Sequence, residues 1–343
     1  MTAADAVAVA LWVGVTLYSV FGGADFGTGL WDLTAGDPER GRPVRDLIDV
    51  AIGPVWEANH VWLIFCLVVL WSGFPVAFAA IASTLYVPLS LAALGIVLRG
   101  AGFAFRKATV ASRGRRAFGT LFAVSSILTP FFLGTALGGI ASGRVTANRT
   151  GDLLTSWVNP TSALIGVLAV TMSAYLAAVF LTIDAHRLGL TDLTRSFRSR
   201  ALGAAIVAGV VAIAGIFVLR ADAPELYRGL THEGLPFVVA SAFCGAVVLS
   251  LLARGARFGT RLLAVGAVAP VVWGWGIAQY PLLLPPTLTI ARGAAPEATL
   301  HALLIVVAAA LVIVGPSLTL LFVMVQRDRL GAGASAARPA PDV

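Results

Sequence analysis

Long apolar runs separated by short polar stretches fill this chain from end to end. A helix needs about 20 apolar residues to cross a hydrocarbon core of roughly 30 Å. Nine segments meet that need, at approximately 5–33, 48–71, 77–98, 118–141, 161–184, 201–220, 236–253, 262–280 and 299–325. The pattern predicts an all-α integral membrane fold of about nine transmembrane helices. The first run is the least uniform, because its second half is rich in glycine and carries Asp25 and Asp32. The connections are short and leave no room for a soluble domain, so residues 1–330 read as a single polytopic membrane domain. The tail 331–343 is rich in Ala, Gly and Pro and reads as disordered. The first apolar stretch starts near Ala6 with no basic residue before it, so it reads as a span and not as a cleavable leader.

Composition removes the soluble alternative. Of 343 residues, 58% are hydrophobic and 12% charged, with a mean hydropathy of +0.90; soluble domains carry roughly 25% charged residues. The net charge is +7 and the pI about 10.2. In a soluble chain that balance would point to nucleic acid. Here the basic residues lie between apolar runs and instead set orientation, so no nucleic-acid partner is expected. Nineteen of the 24 Lys and Arg follow spans one, three, five and seven or lie in the C-terminal tail; five lie on the other side. The positive-inside rule then places the N-terminus outside and the C-terminus in the cytoplasm. Trp273, Trp275 and Tyr280, near the outer end of span eight, suit the headgroup region. Cys66 and Cys244 lie in apolar runs without metal-type spacing and read as small buried hydrophobes.

Ionisable groups inside a span are costly and mark function by default. In span one, Gly22, Asp25, Gly29 and Asp32 share a helix face, and Gly23 and Gly27 form a small-xxx-small pair that admits a neighbouring helix. Asp25 lies deep and needs a partner or water, whereas Asp32 reads as marking the cytoplasmic end. In span two, Asp46, Asp49, Gly53, Glu57 and His60 follow one another at steps of three or four residues, which aligns them on one face. At 1.5 Å per residue, Asp46 to Glu57 spans about 16 Å and places Glu57 near mid-membrane. Pro54 deprives the Val50 carbonyl of its helical partner and kinks the helix, and Gly53 leaves space for water there. Asp25, Glu57, Asp46, Asp49 and His60 are therefore expected to form one cytoplasm-facing proton path. His60 reads either as a hydrogen-bonded core histidine or as a redox or metal ligand. No HxxxH or Cys/His cluster accompanies it, and no metal site is expected.

At these residues the chain resembles subunit II of the cytochrome bd-type quinol oxidases. Three stretches carry the resemblance: Gly23-Ala24-Asp25-Phe26-Gly27; Gly53-Pro54-Val55-Trp56-Glu57-Ala58-Asn59-His60-Val61-Trp62; and Arg99-Gly100-Ala101-Gly102-Phe103-Ala104-Phe105-Arg106. The resemblance implies two four-helix bundles plus a peripheral helix in a bacterial plasma membrane. It implies a partner subunit I bearing two b-type haems, haem d and the quinol-binding loop, with quinol as substrate. A small single-span subunit, membrane lipids and quinone complete the implied partners. Asp25 and Glu57 match the family's acidic positions, and Trp56, Asn59, Trp62, Arg99 and Arg106 are its motif residues, expected at subunit contacts. Three positions depart from the pattern: Glu57 stands where Asp is frequent, His60 where Gln or Glu is familiar, and Ala104 replaces an acid. The expected function is a quinol:O2 oxidoreductase subunit that completes the complex and contributes a cytoplasmic proton path. The alternatives are a proton-coupled secondary transporter, for which Gly315-Pro316 is the nearest candidate twin of Gly53-Pro54 but lacks nearby acids, and a purely structural or assembly subunit.

Overall fold

The computed structural model describes residues 2–37, 39–52, 56–109, 112–147, 150–256 and 258–326. Gly53, Pro54 and the tail 331–343 lie outside these residues, as does the side chain of Glu57. The first span is one continuous helix of 31 residues with a change of pitch in its middle. Helix α1 (Ala3–Leu17) opens on a capping box, in which Thr2 and Asp5 satisfy each other's backbone N–H groups. A π-helical turn, Tyr18–Gly22, joins it to α2 (Gly23–Leu33). The wider turn rotates the helix face, so α1 and α2 meet different neighbours.

The second and third spans differ from expectation. Helix α3 (Arg42–Ile52) is a separate amphipathic helix, not the start of a span. It buries Val44, Leu47 and Ile48 against Phe103, Phe122, Leu181 and Phe197, and leaves Arg42 and Asp46 exposed. Helix α4 (Trp56–Gly73) breaks at its end, because Pro75 cannot donate the next helical hydrogen bond, and it is long and apolar enough to cross only together with the helix that follows. Helix α5 (Pro75–Thr84) leaves at an angle of 118° to the Asn59–Gly73 stretch. The third crossing therefore starts at α6 (Tyr86–Ala108), nine residues later than predicted, with Pro88 tolerated in its first turn.

Helices α7 (Ser112–Ala141), α8 (Pro160–Arg187), α9 (Thr191–Asp222), α11 (Leu235–Arg254), α12 (Thr260–Gln279) and α14 (Glu297–Gln326) supply the remaining spans. Among the described residues, eight helices are long and apolar enough to cross a membrane, and nine if the bent α4–α5 pair counts as one. The short α10 (Pro224–Thr231) and a hairpin of β1 (Leu282–Leu284) and β2 (Leu288–Thr289), followed by α13 (Ile290–Gly293), fill two connections. The hairpin is a small β element that apolar periodicity did not reveal. With Phe74, Ala77 and Leu85 it closes the end of the molecule opposite α3.

Helix α2 packs on α7 and α8, and α6 packs on α7. Helices α8, α9, α11 and α12 form a second group, while α1 lies against α4, α12 and α14. Helices α7 and α8 are central, with 56% and 50% of their apolar windows buried; α9, α11 and α14 bury 6–11% and are peripheral. Helix α14 turns Ile305, Val306, Val312 and Ile313 outward.

Candidate functional site

The polar interior is assembled where α2, α6 and α7 meet. Close approach creates it. An ideal Cβ on Gly27 would overlap the Ser173 carbonyl of α8, and one on Gly29 would overlap Ser126 of α7. Gly23, by contrast, makes ordinary contact with Leu176 and Ser173 at 3.5 Å. Of the expected small-residue pair, Gly27 is the position that sets the helix separation. Trp31 Nε1 then fastens α2 to α8 by donating to the Ala174 carbonyl at 3.0 Å.

Helices α2 and α6 run in the same direction, and each carries two charges seven residues apart. Asp25 meets Arg99 and Asp32 meets Arg106, both pairs separated by 74 positions in sequence. In the deeper layer, Arg99 Nη2 donates to Asp25 Oδ1 at 2.6 Å, with both side chains 2% exposed. Arg99 Nε donates to Ser126 Oγ at 3.0 Å. The Ser126 hydroxyl in turn donates to the Phe122 carbonyl at 2.6 Å, which leaves a lone pair for the arginine. In the second layer, Arg106 bridges Asp32 and Asp49, and Arg45 Nε donates to the other oxygen of Asp32 at 2.9 Å. Phe122 separates the layers, with the Arg99 and Arg106 guanidinium carbons 5.1 and 5.0 Å from its ring centre. An unpaired charge in this medium would cost several kcal/mol. Here each carboxylate has a guanidinium partner, and the arginine faces add cation–π contacts of about 0.5–2 kcal/mol.

Exposure falls along this ladder from the α3 end inward. Arg45 and Asp49 keep 26% and 29% of their side-chain surface open, Asp32 keeps 4% and Asp25 2%. The arrangement corrects several expectations. Asp46 stands outside the ladder, 59% exposed and 3.8 Å from Arg42, because it lies on the outer face of amphipathic α3. Asp32 does lie in the last turn of α2, as expected, but it is also the centre of the second layer. Arg99 and Arg106, expected at subunit contacts, are 1% and 8% exposed and engaged by this chain's own carboxylates. Position 104 is exposed, so the acid that Ala104 replaces would have pointed away from the ladder. The sequence reading missed Asp32, Arg45, Phe122 and Ser126 as members. The shared seven-residue spacing of Asp25/Asp32 and Arg99/Arg106 was the available signal.

On α4, Trp56 packs on Phe103 at 5.7 Å and Asn59 is buried. Trp62 lies edge-on to Phe65, 6.2 Å away. His60 is half-buried, with the rings of Phe26, Tyr18 and Trp56 centred 5.9, 6.4 and 6.4 Å away. Among the described residues, no three of His, Cys, Asp and Glu converge as a metal site. Two concavities, of about 190 Å³ beside Arg195 and Arg198 and about 90 Å³ beside Trp12 and Trp273, fall short of the roughly 300 Å³ at which ligand pockets begin. Neither is lined by His60.

Comparison with known proteins points the same way. The family model described as cytochrome bd terminal oxidase subunit II matches residues 3–325. A candidate cytochrome bd menaquinol oxidase subunit II of Bacillus subtilis (strain 168) is 22% identical, over 93% of this chain and 94% of its own length. The cytochrome bd-I ubiquinol oxidase subunit 2 of Escherichia coli (strain K12) is 29% identical over 61% of this chain; the match spans 56% of that relative's length. The structure of bd oxidase from Geobacillus thermodenitrificans superposes with a TM-score of 0.74 at 28% identity, covering 94% of this chain and 98% of that one. With this match, and with Gly315 and Pro316 on peripheral α14, the transporter reading has no remaining support. A layout of eight or nine membrane-spanning helices among the described residues, a charged interior on α2 and α6 and a family match from residue 3 to residue 325 have one reading: this bacterial membrane protein belongs to the cytochrome bd terminal oxidase subunit II family, whose members are subunits of a quinol-oxidising oxidoreductase.

Proposed function

We propose that this chain completes a cytochrome bd-type oxidase by pairing with a haem-bearing subunit I and feeding it protons from the cytoplasm. Subunit I would hold the two b-type haems and haem d and carry out quinol oxidation and reduction of O2 to water. Protons released from quinol outside and consumed from inside make the reaction electrogenic without a separate pump. The α3 end is the cytoplasmic face in this reading, with the N-terminus outside and the C-terminus inside; the uneven distribution of Lys and Arg supports that orientation. Residues 1–330 act as one membrane domain, with the outward apolar side chains of α9, α11 and α14 meeting lipid and any small accessory subunit.

One observation carries the proposal. Asp25 is buried, holds Arg99 with one oxygen and leaves the other without a partner among the described residues, at the inner end of a ladder that reaches part-exposed Asp49. Arg99 and Arg106 hold the ladder's carboxylates in place; the free Asp25 oxygen is the atom able to exchange a proton. Glu57, in the first turn of α4 one residue beyond Trp56, is the second proton-carrying group on this reading, and Asp49 its source at the surface. His60 stands a turn further along α4.

The experiment is turnover of the purified complex with Glu57→Gln or Asp25→Glu, normalised to haem content. Glu57→Gln keeps size and hydrogen bonding but removes titration, so oxygen consumption with quinol should fall about tenfold or more at full haem content. Asp25→Glu keeps the charge opposite Arg99 and should retain haem while slowing turnover through the displaced oxygen. Full activity in both variants would leave this chain a structural partner only.

A further inference from the structure

Three buried polar atoms next to the ladder have no hydrogen-bond partner among the described residues: Tyr18 Oη, His60 Nδ1 and Asp25 Oδ2. They come from three different elements, the π-helical turn, α4 and α2, yet their side chains form one cluster. The Tyr18 ring lies 6.3 Å from Phe26 and 6.4 Å from His60, and Phe26 lies 5.9 Å from His60. Arg99, which holds Asp25, rests on that same Phe26 at 5.1 Å. The π turn gives the cluster its shape. Any Cβ on Gly22 would stand 2.9 Å from Tyr18 Cε2, so glycine there lets the phenol ring lie against its own helix. π turns of this kind recur at functional sites.

Buried polar atoms are nearly always satisfied, and several unsatisfied ones in one place mark a site for water. The chemistry of this set fits. A carboxylate oxygen accepts, a phenol both donates and accepts, and an imidazole nitrogen does either according to its tautomer. A water molecule needs two to four such partners.

We propose that Tyr18, His60 and the free oxygen of Asp25 together bind internal water at the π turn, and that this water carries protons onward from Asp25. A proton reaching Asp25 Oδ2 passes to the water, which gives one of its own protons to His60 Nδ1; the imidazolium then gives its Nε2 proton to a water or carboxylate on the side of the companion subunit. Tyr18 is a positioning residue that holds the water through its hydroxyl. The proposal rests on the proton-supplying reading above and extends it to a residue and a turn outside the expected path.

The test uses the intact complex. Tyr18→Phe removes one oxygen and keeps the ring that packs on Phe26. Oxygen consumption per haem should fall about threefold or more, with a larger H2O/D2O rate ratio, because the relay step becomes more limiting. His60→Phe should fall at least as far. Wild-type turnover and an unchanged isotope ratio in Tyr18→Phe would overturn the proposal. If Glu57→Gln and Asp25→Glu remain impaired in that case, the proton-supplying role stands and only the water site fails. A density map of the wild-type complex gives a second readout that does not depend on a variant folding. Ordered water within hydrogen-bond reach of both Tyr18 Oη and Asp25 Oδ2 is the result the proposal requires. A dry site, or one filled by a partner side chain, overturns it.

Discussion

Arg106→Leu strips the membrane of assembled complex. Its guanidinium bridges Asp32 and Asp49, so its loss takes from both carboxylates a partner that is itself 8% exposed. Arg45 still reaches one oxygen of Asp32 at 2.9 Å, but from a part-exposed position. Breaking a buried pair costs about 3–5 kcal/mol, which is roughly two to three and a half powers of ten in an equilibrium at about 1.4 kcal/mol each. Arg106→Lys should be intermediate, because an ammonium is a point charge and cannot present two parallel donors to two carboxylates. The triple change Arg106→Leu, Asp32→Asn, Asp49→Asn should recover part of the loss, since no buried carboxylate is then left without Arg106, and Arg45, which loses Asp32, is part-exposed and keeps the Gly36 and Asp37 carbonyls. The measurement is the haem spectrum of isolated membranes together with an immunoblot for this chain. Wild-type levels in Arg106→Leu would mean that the second layer is not held together as described.

Two glycines four residues apart separate geometry from motif. Gly27→Ala drives a methyl group into the Ser173 carbonyl, with the Ala174 nitrogen also within 2.8 Å; both are backbone atoms of α8 and cannot rotate away. The helices must part, and overpacking of this kind costs about 1–3 kcal/mol. Because α2 carries Asp25, the shift also pulls that carboxylate from Arg99, so the complex that does assemble should turn over slowly. Gly23→Ala meets its nearest atoms at 3.5 Å, ordinary contact, and should assemble and work like wild type. Thermal inactivation and turnover per haem of the two variants check this directly. Equal tolerance of both would show that the close α2–α8 approach is not what the structure places there.

Much of the fold was legible in the pattern of apolar runs, because a helix in lipid must satisfy its own backbone and so leaves a signal of about 20 residues. Asp25 was legible for the same reason: a charge in such a run is costly. What hydropathy could not see was pairing. Asp25 and Arg99 lie 74 positions apart, and a reading that scores each residue alone assigned Arg99 and Arg106 to a loop. The matched seven-residue spacing on two parallel helices held that information, since seven residues are close to two helical turns. Asp46 was misplaced by a periodicity argument that carried one helix face from 46 to 60. The amphipathic character of 42–52, with Val44, Leu47 and Ile48 on one side and Arg42 and Asp46 on the other, marks α3 as an interfacial element instead. Pro75 and Pro88 bracket the short α5 and could have signalled the break before the third crossing. Tyr18 carried no sequence mark at all, because a π turn depends on packing.

Proton uptake on the α3 side decides whether the ladder does what its gradient of exposure suggests. The complex is reconstituted in liposomes with the α3 face open to a pH-sensing dye, and oxygen is supplied to quinol-reduced enzyme. In wild type, alkalinisation on that face should accompany each turnover, and in Glu57→Gln it should slow together with oxygen consumption. Uptake from that face at the wild-type rate in Glu57→Gln and Asp25→Glu, or uptake from the opposite face in wild type, would contradict a proton route through this chain.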